Sequence, residues 1–242
     1  MPAVYSVSTE QLYMRVIGLD SSAGGVGDTG GMRTDVYFFD CDQTLYAYDF
    51  RKRLPALARL TGASQYHLAS TWWGGGHEAA ADAGEYRSSD EYFAAWRVVT
   101  GTTLTLGQWQ EARAAAMTRI PGVIAALARA ATLGTVSLLS NNPIPFRDAL
   151  PILAPDVAEI LQGNDLTSAV LGAQKPERRI YTRALGLFGV RAEDAILIDD
   201  SAANVAGARA AGMHAFQLTE TDGGYDITGL NAALDAFAGR RR

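Results

Sequence analysis

The 242-residue chain has a single cysteine, Cys41, and only two lysines, Lys52 and Lys175, against nineteen arginines. One cysteine excludes an internal disulfide and suits a reducing cytoplasm. No histidine stands near it in sequence, so Cys41 reads as a small buried filler rather than a nucleophile. No segment reaches the roughly 18 continuous apolar residues that a membrane-spanning helix needs. The amino terminus lacks a basic stretch followed by an apolar one, so a secretory signal is not expected. Twenty-one basic residues against 26 acidic ones, a net charge of −5, leave no basic stripe for nucleic acid. Apolar residues are plentiful, at 48%, enough for a sizeable core. The length admits one large α/β domain or a domain carrying a small insert.

The stretch Val36-Tyr37-Phe38-Phe39 runs straight into Asp40-Cys41-Asp42-Gln43-Thr44. A short apolar run, β-branched and aromatic and closed by turn chemistry, predicts a strand buried on both faces. Alternation along an extended backbone sends Asp40 and Asp42 to one side and Cys41 to the other. Two carboxylates about 4 Å apart repel by roughly 4 kcal/mol at an effective dielectric near 20. Either one holds a proton, or a cation sits between them. The same pair could instead serve an Asx turn or a helix cap after the strand.

Residues 1–32 read as a flexible leader, because the glycine-rich stretch 21–31 separates 1–20 from the first strand and Met32 offers an alternative start. Over 51–116 the pattern is helical. Residues 51–60 place Leu54, Ala56, Leu57 and Leu60 at helical spacing. Ser88 or Ser89 caps a helix bearing Tyr92, Phe93, Trp96 and Val99, and Thr105 precedes another over 106–117. Trp72 and Trp73, in a glycine-rich loop at 71–77, are expected in the core of this module. The rival reading closes that loop over a substrate, with His77 as its polar contact. Further strands are expected at 136–139, 168–171, 195–198 and 213–218, separated by helices near 121–131, 177–187, 202–211 and 229–237. That alternation predicts an α/β fold: a Rossmann-like parallel sheet covered by helices on both faces, over 33–50 and 117–242. A small all-helical cap is inserted at 51–116.

Three strand ends then supply Asp40 and Asp42, Ser140 and Asn141, and Asp199 and Asp200, with Lys175 on an intervening loop. Open α/β sheets keep their ligands at such ends. Four carboxylates around one lysine repel one another, and a hard divalent cation relieves this. Mg²⁺ favours a few carboxylates plus waters and a substrate phosphate. Ser140 and the backbone N–H groups after it suit phosphate oxygens. A composition that avoids lysine yet sets one in GAQKP marks Lys175 as a wanted point charge. Taken singly, Ser140-Asn141 and Asp199-Asp200 could be ordinary helix caps and Lys175 a solvated loop charge.

Together, DCDQT, LLSNN, the lysine of GAQKP and ILIDDSAANVAGARAAGM resemble, in order, the four motifs of the haloacid dehalogenase superfamily, across 33–242. The helical insert resembles that family's small α-helical cap. The stretches DFRKRLPALARLTG and GEYRSSDEYFAAW are similar to those of bacterial sugar-phosphate phosphatases of the glucose-1-phosphate type. The resemblance implies a Mg²⁺-dependent phosphomonoester hydrolase acting on a small phosphorylated metabolite. It implies that Asp40 attacks phosphorus to give an aspartyl-phosphate, while Asp42 protonates the leaving oxygen and then activates water. Asp40, the backbone carbonyl of Asp42 and Asp200 would hold the metal, with Asp199 behind them. Ser140, Asn141 and Lys175 would bind the phosphoryl oxygens. Asn204 stands where some relatives place another acid. Haloacid dehalogenases lack the second aspartate of the first motif, so Asp42 argues against carbon–halogen cleavage. Phosphonate hydrolysis needs a cap lysine, and the insert offers only Lys52 within Arg51-Lys52-Arg53, which reads as a solvated helix start. A phosphosugar mutase keeps the same acids and stays open as an alternative, as does a non-catalytic binder of a phosphate ligand.

Overall fold

The computed structural model describes residues 35–222 and 224–240, so the leader expected at 1–32 lies outside the described residues. Strand β1 (Val36–Phe39) is buried along its whole length. Short strands β2 (Tyr46–Tyr48) and β3 (Met117–Arg119) pair antiparallel where the helical segment leaves and rejoins the sheet region. Strands β4 (Thr135–Ser140), β5 (Asp165–Thr167), β6 (Ala195–Asp199) and β7 (His214–Gln217) join β1 in one parallel sheet, ordered β5-β4-β1-β6-β7. A further hairpin pairs β8 (Glu220–Thr221) with β9 (Gly224–Tyr225). The chain builds outward from β1 first to one side and then to the other, so a switch point lies beside β1. Phe39 stands opposite Leu138 and Ile198, which brings the ends of β1, β4 and β6 out at one edge.

The two faces of β1 part by alternation. Tyr37 and Phe39 pack with Val123 and Leu127 of helix Pro121–Ala130 and with Leu230 and Leu234 of helix Ile227–Gly239. Val36 and Phe38 pack with Ile180 and Ala184 of helix Arg178–Phe188 and Ala208 of helix Ala202–Ala210. Both faces are therefore covered, as a parallel sheet requires. One strand expectation fails. Residues 168–171 form helix Ser168–Leu171, and the edge strand is Asp165–Thr167 instead. A four-residue apolar run suits a strand or a buried helical turn equally well. Here the Ser168 hydroxyl accepts from the Asn142 N–H at 3.1 Å, tying that turn to the end of β4.

The insert comprises helices Phe50–Thr61, Gln65–Leu68, His77–Asp82, Ser89–Thr100 and Leu106–Ala116. Ser88, rather than Ser89, caps the fourth, and Thr105 with Gln108 makes a capping box on the fifth. That last helix stops at Ala116, not 117, because Met117 enters β3 opposite Tyr48. The expected loop at 71–77 is more regular than its glycines suggest: a π-helical turn, Ala69–Trp73, then a tight bend into the helix at His77. Trp72 is fully buried, with ring centroids of Tyr92 and Trp96 each 5.0 Å away. It is core, as expected. His77 stacks on Trp72 and sits 3.1 Å from the Tyr86 hydroxyl through Nδ1.

Arg51 and Lys52 are exposed, as a solvated helix start requires, but Arg53 departs from that picture. It is 4% exposed and bonds Glu78 at 3.1 Å and the Tyr48 hydroxyl at 3.2 Å. Glu78 also accepts from Trp72 Nε1 at 2.6 Å and the Tyr92 hydroxyl at 2.7 Å. The insert rests on the sheet region through Ser89, which donates to Asp148 at 2.6 Å, and through Gln174, which donates to the Ala79 carbonyl at 3.0 Å. Gly84 permits the close fit: at φ +87°, a Cβ there would lie 2.6 Å from the Ala169 carbonyl oxygen. Among the described residues, no helix is long and apolar enough to cross a membrane.

Candidate active site

Asp40 leaves β1 with its N–H still bonded to the Ile198 carbonyl at 2.9 Å, so its backbone is fixed by the sheet. Its buried carboxylate lies 3.0 Å from Lys175 Nζ. Lys175 Nζ also donates to Asp199 at the end of β6, at 2.6 Å. The lysine side chain is 1% exposed and Asp199 is fully buried. Burial pushes the Asp40 carboxyl up to about 7, with Lys175 and a hydrogen bond from Ser140 pulling it down and Asp199 and Asp42 pushing it up. Burial works against the Lys175 charge, but Asp40 and Asp199 outweigh it and hold the ammonium above its usual range. Asp200, half-buried, is pushed up by burial and by Asp199. Ser140 accepts from Asn142 Nδ2 at 3.0 Å, which leaves its own proton free for Asp40.

The neighbours hold this centre from several elements. Asn141 donates to the Lys175 carbonyl and accepts the Lys175 N–H, both at 2.9 Å, so its amide clamps the lysine loop. Asn204 donates Nδ2 to both oxygens of Asp199, at 3.0 and 3.1 Å, and the Ser201 N–H donates to the same group at 2.9 Å. Asp199 is thus saturated, and the cap on helix Ala202–Ala210 is Ser201 rather than either aspartate. Gly207 lets that helix press on the lysine loop, since a Cβ there would sit 2.7 Å from the Pro176 carbonyl oxygen. Cys41 is fully buried and pushed well above its ordinary pKa, which makes it inert.

Asp42 turns away from Lys175 toward the insert. Both of its oxygens accept from Arg113 Nη2, at 2.6 and 2.7 Å, and Oδ2 is 3.3 Å from Asn142 Nδ2. The turn that carries it winds around the Cys41 carbonyl, with Gln43 in the left-handed region and its side chain bonded to the Tyr48 backbone. Every residue proposed from sequence, Asp40, Asp42, Ser140, Asn141, Lys175, Asp199 and Asp200, lies at this one edge. Sequence reasoning missed Arg113 and Asn142. Asn142 adjoins the LLSNN stretch and was within reach of a motif argument. Arg113 sits 71 residues from Asp42 in an alanine-rich helix and carries no local signal.

Asp40, Asp199 and Asp200 each offer an oxygen within 4.8 Å of the others. An all-oxygen set with more negative than positive charge fits a hard divalent cation. Asp199 is already saturated by Lys175, Asn204 and Ser201, which leaves Asp40 and Asp200 with the freer oxygens.

The family model for haloacid dehalogenase-like hydrolases matches residues 34–212, most of the chain. The chain belongs to that family. Its fold is shared by a HAD family enzyme from Bacteroides thetaiotaomicron in complex with magnesium and inorganic phosphate. There the TM-score is 0.62 at 16% identity, covering 77% of this chain and 95% of that one. A 2-haloacid dehalogenase from Pseudomonas syringae matches at TM-score 0.61 and 18% identity, over 85% of this chain and all of that one. A HAD phosphatase from Thermococcus onnurineus matches at 0.51 and 19%, over 78% and 87%. At such identities the likeness speaks for the fold alone. No curated protein matches the chain in sequence.

Proposed function

We propose that this hydrolase is a Mg²⁺-dependent phosphomonoesterase that works through an aspartyl-phosphate on Asp40. The observation that carries the reading is the pairing of a buried Asp40 with Lys175 at 3.0 Å and a second acid, Asp42, two residues on. Asp40 is the nucleophile toward phosphorus, and Asp42 protonates the leaving oxygen and then takes the proton of the attacking water. A carbon–halogen bond has no leaving oxygen to protonate, which is why Asp42 favours a phosphate ester. Lys175, Ser140 and the backbone after it meet the charge that grows on the phosphoryl oxygens. Asn141 and Asp199 act behind them, fixing the lysine loop and the ammonium. Asp40, the Asp42 carbonyl and Asp200 would hold Mg²⁺, which when bound neutralises charge on the nucleophile and the transferring group. Residues 51–116 act as the cap over a small phosphorylated metabolite, with 33–50 and 117–242 as the catalytic part.

The test measures inorganic phosphate released from a panel of phosphorylated sugars and nucleotides, with Mg²⁺ and with a chelator. Release that needs Mg²⁺ and disappears in Asp40→Asn is the expected result. Isomer formation without phosphate release would make the protein a mutase. A ligand-induced rise in melting temperature with no turnover would make it a binder.

A further inference from the structure

We propose that Arg113 is the positioning residue for the Asp42 carboxylate, and that through it the reach of this acid depends on how the helical insert is seated. The inference rests on the phosphatase reading above. Of the two acids on the first-strand turn, Asp42 has the more open flank: its side chain is 26% exposed, against 10% for Asp40. An aspartate so placed on a turn would ordinarily sample several rotamers. Arg113 removes that freedom, because one nitrogen takes both oxygens at 2.6 and 2.7 Å.

The arginine itself has no such freedom. It is 2% exposed, and its guanidinium lies between the rings of Tyr48, 4.3 Å away, and Phe146, 4.9 Å away. One ring belongs to β2 at the root of the insert, and the other to helix Ile144–Leu153 beside the sheet. Nη2 reaches Asn142 Oδ1 as well, at 3.3 Å, while Nε has no partner. The two grips on Asp42 thus come from different parts of the chain: Arg113 from the last turn of helix Leu106–Ala116, and Asn142 from the loop after β4. A small movement of the insert alters the first grip and leaves the second. Asp42 is therefore aimed only while the insert is seated, which is when the leaving group is shielded from water.

The test compares kcat/KM for phenyl phosphate and 2,4-dinitrophenyl phosphate in the full-length chain with Mg²⁺. The dinitrophenolate leaves without help from an acid, and the phenolate needs it. Arg113→Met is expected to lose about 100-fold on phenyl phosphate and under about threefold on the dinitrophenyl ester, in line with the worth of a placed general acid. Arg113→Lys keeps the charge but not the flat guanidinium that packs on Tyr48 and Phe146, and is expected to recover part of the loss. If Arg113→Met fails to fold, the lysine variant alone must show the same split in smaller measure. Crystals of the variant supply a second readout: Asp42 should leave its rotamer or occupy more than one. Equal losses on the two esters, or an Asp42 that keeps its place without Arg113, would overturn the proposal. If the wild type cleaves neither ester, the phosphatase reading fails, and the rotamer comparison still decides the role of Arg113.

Discussion

At the sheet edge Lys175 faces Asp40 at 3.0 Å and Asp199 at 2.6 Å, with Asp42 and Asp200 beside them. In the helical insert Arg53 faces Glu78 behind a wall of Trp72, Tyr92 and Trp109, while Arg113 reaches back to Asp42. The first group has acids to spare and opens at the carboxyl ends of strands. The second balances cations against carboxyls and is closed by aromatic faces. Excess charge beside an opening is a place to bind a cation and a phosphoryl group. Balanced charge in a closed wall holds shape, because removing either partner leaves a buried ion uncompensated.

Asp40→Asn at the sheet edge should break activity while sparing the fold, and Glu78→Gln in the insert should do the reverse. The largest effect is expected from Asp40→Asn, which removes the nucleophile while keeping its shape. Turnover should fall below about one-thousandth of wild type with the melting curve intact, and retained phosphate release would take the role from Asp40. Lys175→Met should follow, with a loss of about 10²–10³ in kcat, as for removal of a charge-stabilising donor. Glu78→Gln strips Arg53 of its counter-charge, so denaturant unfolding should show about 3 kcal/mol lost. Activity per folded molecule should hold. Magnesium should raise the melting temperature of the wild type, by about 2.7 kcal/mol of stability at 100 times its dissociation constant, and much less in Asp200→Asn.

A separate effect concerns pH. Burial, then the nearby Glu78, pushes the Asp82 carboxyl up to about 8, from a usual value of 3.8. Between those limits the folded chain binds a proton that the unfolded chain releases. Asp82 therefore stabilises the fold below about pH 4, and that contribution drains away as pH climbs through 8. Asp82→Asn should melt increasingly above wild type from pH 5 to pH 8. A constant gap between the two curves would remove Asp82 from the buried group.

The two regions also differ in how far they could be read from sequence. Val36–Phe39 was legible as a fully buried strand because its apolar run is short, β-rich and closed by Asp40. Asp42, Ser140 and Asp199 followed because each stands at or just past a strand end, and Lys175 because lysine is so scarce in the chain. Residues 168–171 were misread because four apolar-leaning residues carry no period long enough to separate strand from helix. In the insert, Trp72 is core as expected, whereas Trp73 is half-buried at the edge of that core. The burial of Arg53 was not legible, since its neighbours Arg51 and Lys52 advertise a wet surface and are in fact exposed. Nothing local to Arg113 announces its partner.

By itself the sequence determined the central strands, the strand ends at which the acids stand, and the family. Those depend on side-chain period and on turn chemistry, which act over a few residues. Only the tertiary structure decided that Asp42 faces Arg113 rather than Lys175, that Asn141 clamps a loop, and that Arg53 is buried. Such pairings join residues tens of positions apart, and their energies depend on distance and burial, which exist only once the helices have packed.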